Sequence, residues 1–362
     1  FNFQKKYGRA QLILSLQKCL ANHEVLLYGL GMDYSPLTLK KDQIDQFRPL
    51  PPALVQNLEE WFLVELTYTS NALEGNTLTR KETAAVIEKG LTIGGKSLVE
   101  HLEATNHAKA LNEIMALAGS KTYDLTEDDI LSIHNTILRG IDDENAGHYR
   151  SIPVRISGSQ VILPNPARVS DHMKTFIADI TQKSDLHPVE LAAEAHYQLV
   201  TIHPFVDGNG RTARLLMNLI LMQNGYPPAL IRTRDRMKYI SALEKAQLGG
   251  SISDYHKVIF DAANRSLDIY LNAVTGKNEK QVPERPEKEL LRIGQLAKQT
   301  GESNATIRYW TKEGLLQIAD TTATGYQLYD PFMIDRIKII RDLQGQRFTL
   351  AEIKEKISNA TE

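Results

Sequence analysis

Residues 203–214 read HPFVDGNGRTAR, with His203, Asp207, Arg211 and Arg214 around the small run Gly208, Asn209, Gly210. Histidine titrates near neutral pH and can take a proton from an attacking group. Glycines let backbone approach a ligand closely. The periodic apolar residues that follow predict a helix, and the first N–H groups of a helix are unpaired at the positive end of its dipole. That combination is an anion site, most naturally for phosphates. Arg211 and Arg214 are three apart and share a helix face beside it, and a guanidinium fork binds two phosphate oxygens at once. Asp207 is placed to ligate Mg²⁺, an ion that takes one or two carboxylates together with phosphate oxygens. A lone histidine or a Gly-Asn-Gly turn would mean little; four chemical roles in twelve residues at a loop–helix junction point to phosphate chemistry.

The elements that must position this loop are helical. Pro188 opens a helix through Val200 on one side, and Arg211–Gln223 is helical on the other, stopped by Asn224-Gly225. Pro51-Pro52 open an earlier helix with Leu54, Leu58, Trp61, Phe62 and Val64 on its apolar positions, running to Leu73 and stopping at Glu74-Gly75. Thr79-Arg80-Lys81-Glu82 is a capping box, and Thr126 starts another helix. Two β-prone runs, Pro153–Ser157 and Gln160–Leu163, flank Gly158-Ser159 and predict a hairpin.

The 362 residues suffice for two or three domains. The composition shifts at residues 275–289, TGKNEKQVPERPEKE, a polar linker with two prolines. A unit of some 70 residues follows, with helices over Ile293–Lys298 and Ser303–Lys312 around a turn at Gly301, then a small wing at Thr324–Tyr329. A net charge of −2 gives no general attraction to nucleic acid or an anionic membrane. The single cysteine, Cys19, excludes an internal disulfide framework, and no 18-residue apolar run or signal peptide stands out. The expectation is a cytoplasmic protein without membrane attachment; the start at Phe1 suggests a processed or trimmed beginning.

HPFVDGNGRTAR resembles the signature of Fic domains, His-Pro-Phe-x-Asp/Glu-Gly-Asn-Gly-Arg-x-x-Arg, at every defined position. The resemblance extends from about Leu54 to Leu271. SNALEGNTLTRKE (70–82) and GGKSLVEHLEATNHAKAL (94–111) are similar to the subgroup containing the metazoan Fic enzyme of the endoplasmic reticulum. It implies a mainly α fold: an N-terminal helical region over 1–110 with an inhibitory helix at about 52–75, a Fic core over 111–274 with a short β-hairpin flap, the 275–289 linker, and a small winged helix-turn-helix domain over 290–362.

The resemblance also implies adenylyl transfer, in which a protein Ser, Thr or Tyr hydroxyl attacks the α-phosphorus of ATP. His203 would be the base, Asp207 would hold Mg²⁺, the Gly208–Gly210 backbone with Asn209 would cradle or orient the phosphates, and Arg211 and Arg214 would bind them. Gly210 stands where kinase-type relatives resembling Doc toxins carry lysine, which favours adenylyl transfer. Tyr239, Ile240 and Gln247 align with residues near the nucleotide, although Ile240 and Gln247 depart from the subgroup's Tyr and Asn. Ile156, Ser157, Gly158 and Ser159 match the flap tip, on which an extended target segment would pair by backbone hydrogen bonds. Arg150 and His196 also match family positions and read as structural.

Ser70-x-x-x-Glu74-Gly75 matches the family's inhibitory motif, in which Glu74 would pair with Arg214 and keep the γ-phosphate from its productive place. In some relatives the same glutamate orients water for AMP removal, so the reverse reaction and self-modification belong to the expectation, with homodimerisation left open.

LRIGQLAKQTGESNATIRYWTKEGLL and TGYQLYD resemble the winged helix-turn-helix of MerR-type regulators, with Arg308, Tyr309, Tyr326 and Tyr329 as candidate DNA contacts. Arg is usual in that family where Gln327 stands, and the unit balances its basic and acidic residues, which leaves DNA binding and protein docking as alternatives. The competing overall reading is a nucleotide-sensing transcription regulator.

Overall fold

The structure is a computed structural model. It describes residues 32–119, 125–182, 185–276, 290–318, 320–321, 326–330, 332–346, 348–350 and 352–353. Cys19, most of the linker and the wing positions Thr324 and Gly325 lie outside the described residues. Two compact units divide at residue 277. The N-terminal helices and the loop-bearing core belong to one unit, without a separation near residue 110.

The first unit contains α1 (Ser35–Asp45), α2 (Pro52–Leu73), α3 (Arg80–Lys89), α4 (Leu98–Ala118), α5 (Glu127–Leu138), α6 (Val169–Gln182), α7 (Pro188–Ile202), α8 (Asn209–Gln223), α9 (Arg236–Gln247) and α10 (Ser253–Thr275). Local chemistry sets these boundaries. Thr79 and Glu82 form the capping box of α3, Ser97 and Glu100 that of α4, and Thr126 and Asp129 that of α5. Pro52 and Pro188 sit at the first helical positions of α2 and α7, where a missing N–H costs nothing. Gly75, at φ 102°, ends the turn after α2 in a conformation that disfavours any side chain.

At the centre lie α7 and α8. Of the residues from Asn209 to Leu221, all but Gly210 are buried, so α8 is covered all round by its neighbours. Leu199, Phe205, Ala213, Leu216 and Met217 join its core to Met173 and Phe176 of α6 and to Tyr255 and Ile259 of α10. A second cluster packs Phe62 and Leu66 of α2 and Leu111 and Ile114 of α4 against Leu215 and Leu219. The loop between α7 and α8 is thus anchored at both ends by the most buried helices of the unit.

One expected element takes another form. Pro153–Ser157 and Gln160–Leu163 carry no strand: a turn at Ser157-Gly158 lies between them, and no ladder joins them. The turn is closed by the Ser159 N–H donating to the Ile156 carbonyl at 3.2 Å. Pro153 has no N–H to give, and the Gln160 N–H is taken by the Glu244 carboxylate at 3.0 Å, so ladder donors are spent elsewhere.

The second unit holds β1 (Leu291–Arg292), α11 (Ile293–Thr300), α12 (Asn304–Lys312), β2 (Asp320–Thr321), β3 (Gln327–Tyr329) and α13 (Phe332–Gly345). The antiparallel sheet has the order β1-β3-β2. Gly301, at φ 73°, makes the turn between α11 and α12, and the Ser303 hydroxyl caps α12 by accepting from the Thr306 N–H at 3.0 Å. Leu296, Ile307, Trp310, Tyr329, Ile337 and Ile340 form its core. Trp310 is therefore a packing residue, with Arg341 5.2 Å above its ring.

Candidate active site

The candidate loop of residues 203–214 begins where α7 stops. His203 caps α7 in the left-handed region, at φ 51° and ψ 60°, a conformation strained for a side chain with a Cβ. Arg150 holds it there: its Nε donates to the His203 carbonyl at 2.8 Å, its Nη2 to the Pro164 carbonyl at 2.7 Å, and its backbone N–H to the Pro204 carbonyl at 2.9 Å. Arg150 is thus a clamp joining the loop to the flap's outgoing arm. His203 Nδ1 lies 3.3 Å from the Val200 carbonyl, which fixes the proton on Nδ1 and leaves the Nε2 lone pair free. Burial, with Arg150 adding to it, holds the imidazole below its ordinary range despite the Val200 contact, so the ring is a neutral base at pH 7.

The helix starts two residues earlier than the sequence suggests: Gly208, at φ 76°, is its N-cap and Asn209 its first residue. Asn209 is buried and spends its amide on the loop, accepting from the Phe205 N–H at 2.9 Å and donating to the Phe205 carbonyl at 3.0 Å. Its side chain shapes the turn. Beneath it His134, which the sequence reading missed, stacks on Phe205 with ring centroids 3.6 Å apart. Its Nδ1 accepts from the Gly147 N–H at 3.0 Å, so its Nε2 donates to the Asp207 carbonyl at 3.0 Å. Burial lowers His134 to about 4, keeping it a neutral brace.

Asp207 points outward, with 70 % of its side chain exposed, and one oxygen accepts from Arg211 Nη2 at 3.2 Å. Arg211 is buried, and its Nη1 donates to Glu103 on α4 at 2.9 Å. The other Glu103 oxygen accepts from the Asn76 amide at 2.8 Å, which ties the turn after α2 to the same arginine. Glu103 is a second residue missed from sequence; only its place on a helix carrying Glu100 and His107 hinted at an inward role.

Glu74 accepts from Arg214 Nη2 at 2.7 Å. The same guanidinium donates from Nε to the Ser70 hydroxyl and from Nη2 to the Ser70 carbonyl, both at 2.9 Å. Ser70 and Glu74 therefore grip one cation from the last turn of α2. The Glu74 carboxylate lies over the first turn of α8: a Cβ built on Gly210 would collide with Glu74 Oε1 and come within 3.0 Å of Arg214 Nη1. A carboxylate at that end of α8 is favoured by the dipole. Burial pushes Glu74 up, but Arg214, with Arg211 and Arg236 nearby, outweighs it and leaves the carboxyl below its usual range. Arg236 also donates from Nε to the Leu73 carbonyl at 2.9 Å, capping the end of α2.

The remaining candidates divide. Tyr239 is buried, with its hydroxyl 2.8 Å from His196 Nε2. Ile240 is 42 % exposed on α9. Gln247 donates to the Val200 carbonyl at 3.4 Å and the Thr201 hydroxyl at 3.2 Å, against the end of α7. At the flap tip, Ser157 and Gly158 are exposed, Ile156 is half-buried, and the Ser159 hydroxyl donates to Glu244 of α9 at 2.7 Å. Glu244, also missed from sequence, latches the flap to α9. In the second unit Arg308, Tyr309 and Tyr326 are exposed. Tyr329 is not available to a ligand: it is fully buried, and its hydroxyl contacts Thr311 at 3.1 Å and donates to Gln327 at 2.9 Å. An alternating strand puts one of two nearby tyrosines into the core, and here that is Tyr329.

Comparison with known proteins places this geometry. A Fic domain containing signaling protein from Bacteroides thetaiotaomicron superimposes with a TM-score of 0.61 at 31 % identity, over 66 % of this chain and 98 % of that one. This chain belongs to the Fic/DOC family. The Fic/DOC family model matches residues 124–221, and a model described as MerR HTH family regulatory protein matches residues 291–360. Residues 134–508 of Fic-1 from C. elegans give a TM-score of 0.61 at 32 % identity, over 71 % of this chain and 76 % of that one. The protein adenylyltransferase Fic of Nematostella vectensis is 41 % identical over 210 residues, 58 % of this chain and 48 % of the relative. That of Drosophila mojavensis is 38 % identical over 251 residues, 69 % of this chain and 49 % of the relative. The Fic chain thus spans about half the length of the curated relatives it matches. Among its described residues no helix is long and apolar enough to cross a membrane.

Proposed function

We propose that this chain is a protein adenylyltransferase that restrains itself through Glu74. The observation that carries the reading is the Arg214 guanidinium, buried beside the first turn of α8 and held by a carboxylate where a phosphate would sit. ATP would lay its phosphates along the α8 N-terminus, with Arg214 on the γ-phosphate and Arg211 beside the others. His203 Nε2 would take the proton of an incoming Ser, Thr or Tyr hydroxyl as its oxygen bonds to the α-phosphorus. The bond from that phosphorus to the bridging oxygen breaks, and pyrophosphate leaves. Fixed donors aimed at the phosphates act without reorganisation, the main source of rate enhancement in such transfers.

Asp207 fits Mg²⁺: it is an exposed carboxylate at the mouth of the phosphate site, suited to an ion whose other ligands are phosphate oxygens and water. When bound, the ion offsets the charge of the α and β phosphates. The protein substrate would dock along the segments around Ile156, Ser157, Gly158 and Ser159, whose backbone groups are not tied into a ladder. Self-modification and AMP removal at the same site belong to the reading. Tyr239, Ile240 and Gln247 follow as the α9 side of the nucleotide site, Tyr239 from beneath it.

The test is intact-mass analysis of Glu74→Gly protein incubated with ATP and Mg²⁺, alone and with candidate targets. An adduct of one adenylyl group on a hydroxyl side chain is expected. A phosphoryl adduct, or none with ATP bound, refutes the assignment.

One observation favours an added role for the second unit. A cleft between α12 and the sheet is lined by Arg292, Arg308 and Lys312 together with Tyr326. We propose that Arg308 and Tyr326 contact duplex DNA there, chiefly its phosphates, with the exposed Tyr309 next to Arg308 on α12 as a further contact. The overall neutrality of the unit sets the expectation of weak, salt-sensitive gel shifts that Arg308→Ala abolishes. Absence of any shift at low salt leaves protein docking as its role.

A further inference from the structure

Two side chains hold the flap, one at each end of its outgoing arm. At the tip, one oxygen of Glu244 on α9 takes two donors: Oε1 accepts from the Ser159 hydroxyl at 2.7 Å and from the Gln160 N–H at 3.0 Å. With its proton on Glu244, the Ser159 oxygen accepts from the Val161 N–H at 3.2 Å, which extends the hold to a third residue. A charged acceptor makes the stronger hydrogen bonds, and the Ser159 and Gln160 donors keep the Glu244 carboxyl below its usual range. At the other end, the Arg150 guanidinium donates to the Pro164 carbonyl at 2.7 Å and to the His203 carbonyl at 2.8 Å. The arm from Ser159 to Pro164 thus runs from α9 to the backbone of the candidate base. Between the anchors, Ile162 is 94 % exposed, and among the described residues no hydrogen bond ties the backbone of Ile162 or Leu163. The support is firm: Tyr239, Ala242, Leu243 and Ala246 of α9 are buried, and Gln247 bonds to the end of α7.

We propose that Glu244 is a positioning residue for the protein substrate: it fixes the flap arm so that the free backbone of Ile162 and Leu163 offers an incoming segment a single register toward His203. The inference rests on the reading of the flap as the docking edge for that substrate. Backbone pairing selects no particular side chain, so the register has to come from where the edge itself is held. An arm fixed only at Pro164 would swing about that end, and a reacting group misplaced by about 1 Å loses roughly 10²-fold in rate. The phosphates would lie on the α8 N-terminus with Arg211 and Arg214, whose partners are Glu103, Asp207, Ser70 and Glu74 and not Glu244. Loss of the latch therefore acts on the acceptor hydroxyl and persists when ATP is saturating.

The test adds Glu244→Ala, Glu244→Gln or Ser159→Ala to the Glu74→Gly protein. Two quantities are read: hydrogen exchange of the peptide spanning residues 157–163, and the initial rate of adenylyl incorporation at saturating ATP and Mg²⁺, with the protein itself and a cell lysate offered as acceptors. Glu244→Ala is expected to speed exchange of that peptide, leave α8 peptides unchanged and lower the rate roughly tenfold. Glu244→Gln keeps an oxygen for both donors and should stay within about threefold of the Glu74→Gly parent, with Ser159→Ala between the two. Unchanged exchange in Glu244→Ala, or a Glu244→Gln protein as slow as Glu244→Ala, overturns the positioning role and leaves the flap reading standing. Faster exchange with an unchanged rate shows that the substrate does not dock on this arm, and overturns the flap reading and the inference together. No adenylyl adduct on either acceptor from the parent, with ATP bound, refutes the transfer reaction beneath both.

Discussion

Replacing Glu74 by glycine removes one carboxylate and touches none of the catalytic loop. On the proposed reading, that carboxylate and the γ-phosphate compete for one guanidinium, that of Arg214. Unit charges about 4 Å apart attract by roughly 4 kcal/mol at an effective dielectric of 20. Glu74 keeps 41 % of its side chain exposed, so solvent screens the pair, and Arg214 retains both Ser70 contacts when Glu74 is gone. A net preference of about 1.4–3 kcal/mol for the closed state remains, corresponding to roughly tenfold to a hundredfold activation. The assay is the initial rate of adenylyl incorporation at saturating ATP and Mg²⁺, for the parent, Glu74→Gly and Glu74→Gly/His203→Ala. Activation in the single variant and silence in the double are expected. Glycine also leaves Arg214 buried with one charged partner fewer, so the nucleotide-free variant should melt earlier than the parent and recover more on adding ATP. Parental rates in Glu74→Gly, with ATP bound by both proteins, would show that the Glu74–Arg214 pair restrains nothing.

In the activated background, His203→Ala should lower transfer by about 10²–10⁴-fold and leave ATP affinity, read by calorimetry, near the parent value. Because burial holds His203 below its ordinary 6.5, the rate should stay level through neutral pH and fall only below about pH 6.5, as the base takes up a proton; a limb centred above 7 would point to another base. Asp207→Ala should abolish the Mg²⁺ dependence of the rate together with most of the activity, and surviving Mg²⁺-stimulated transfer would assign the ion elsewhere. His107 and His196 at about 3 and His134 at about 4 are lowered on folding, chiefly by burial. Between about pH 6.5 and 4 the unfolded chain binds protons that the folded one refuses. Stability should therefore be full above pH 6.5 and fall toward pH 4, each group costing up to about 1.4 kcal/mol per pH unit, as thermal melts would show.

What could be read from the sequence was local. His203, Asp207, Gly208 and Gly210 lie within eight consecutive residues, so their chemistry is visible as a string, and Pro188 and Asn224-Gly225 mark the outer ends of the flanking helices. Ser70 and Glu74 were legible through the resemblance of Ser70-x-x-x-Glu74-Gly75 to the family's motif, although their partner lies some 140 residues away. The supporting contacts were not. Glu103 meets Arg211 across 108 residues, His134 meets Asp207 across 73, and Glu244 meets Ser159 across 85. A glutamate or histidine on an amphipathic helix carries no mark of the distant group it faces. The flap was half legible: the turn formed where Gly158 allows it, but the pattern could not tell that Glu244 would take a ladder donor. Tyr326 and Tyr329 looked alike as wing residues, and only packing decided that Tyr329 belongs to the core.

The most direct measurement uses Glu74→Gly protein and two samples of ATP, one labelled at the α-phosphate and one at the γ-phosphate, each followed to the end of a single round of transfer. The expected result is α label retained on protein at a Ser, Thr or Tyr oxygen, γ label wholly in released pyrophosphate, one pyrophosphate for each adduct, and loss of both signals in the His203→Ala companion. Label from the γ-phosphate on protein, or α-label transfer that persists without His203, would contradict adenylyl transfer by this loop.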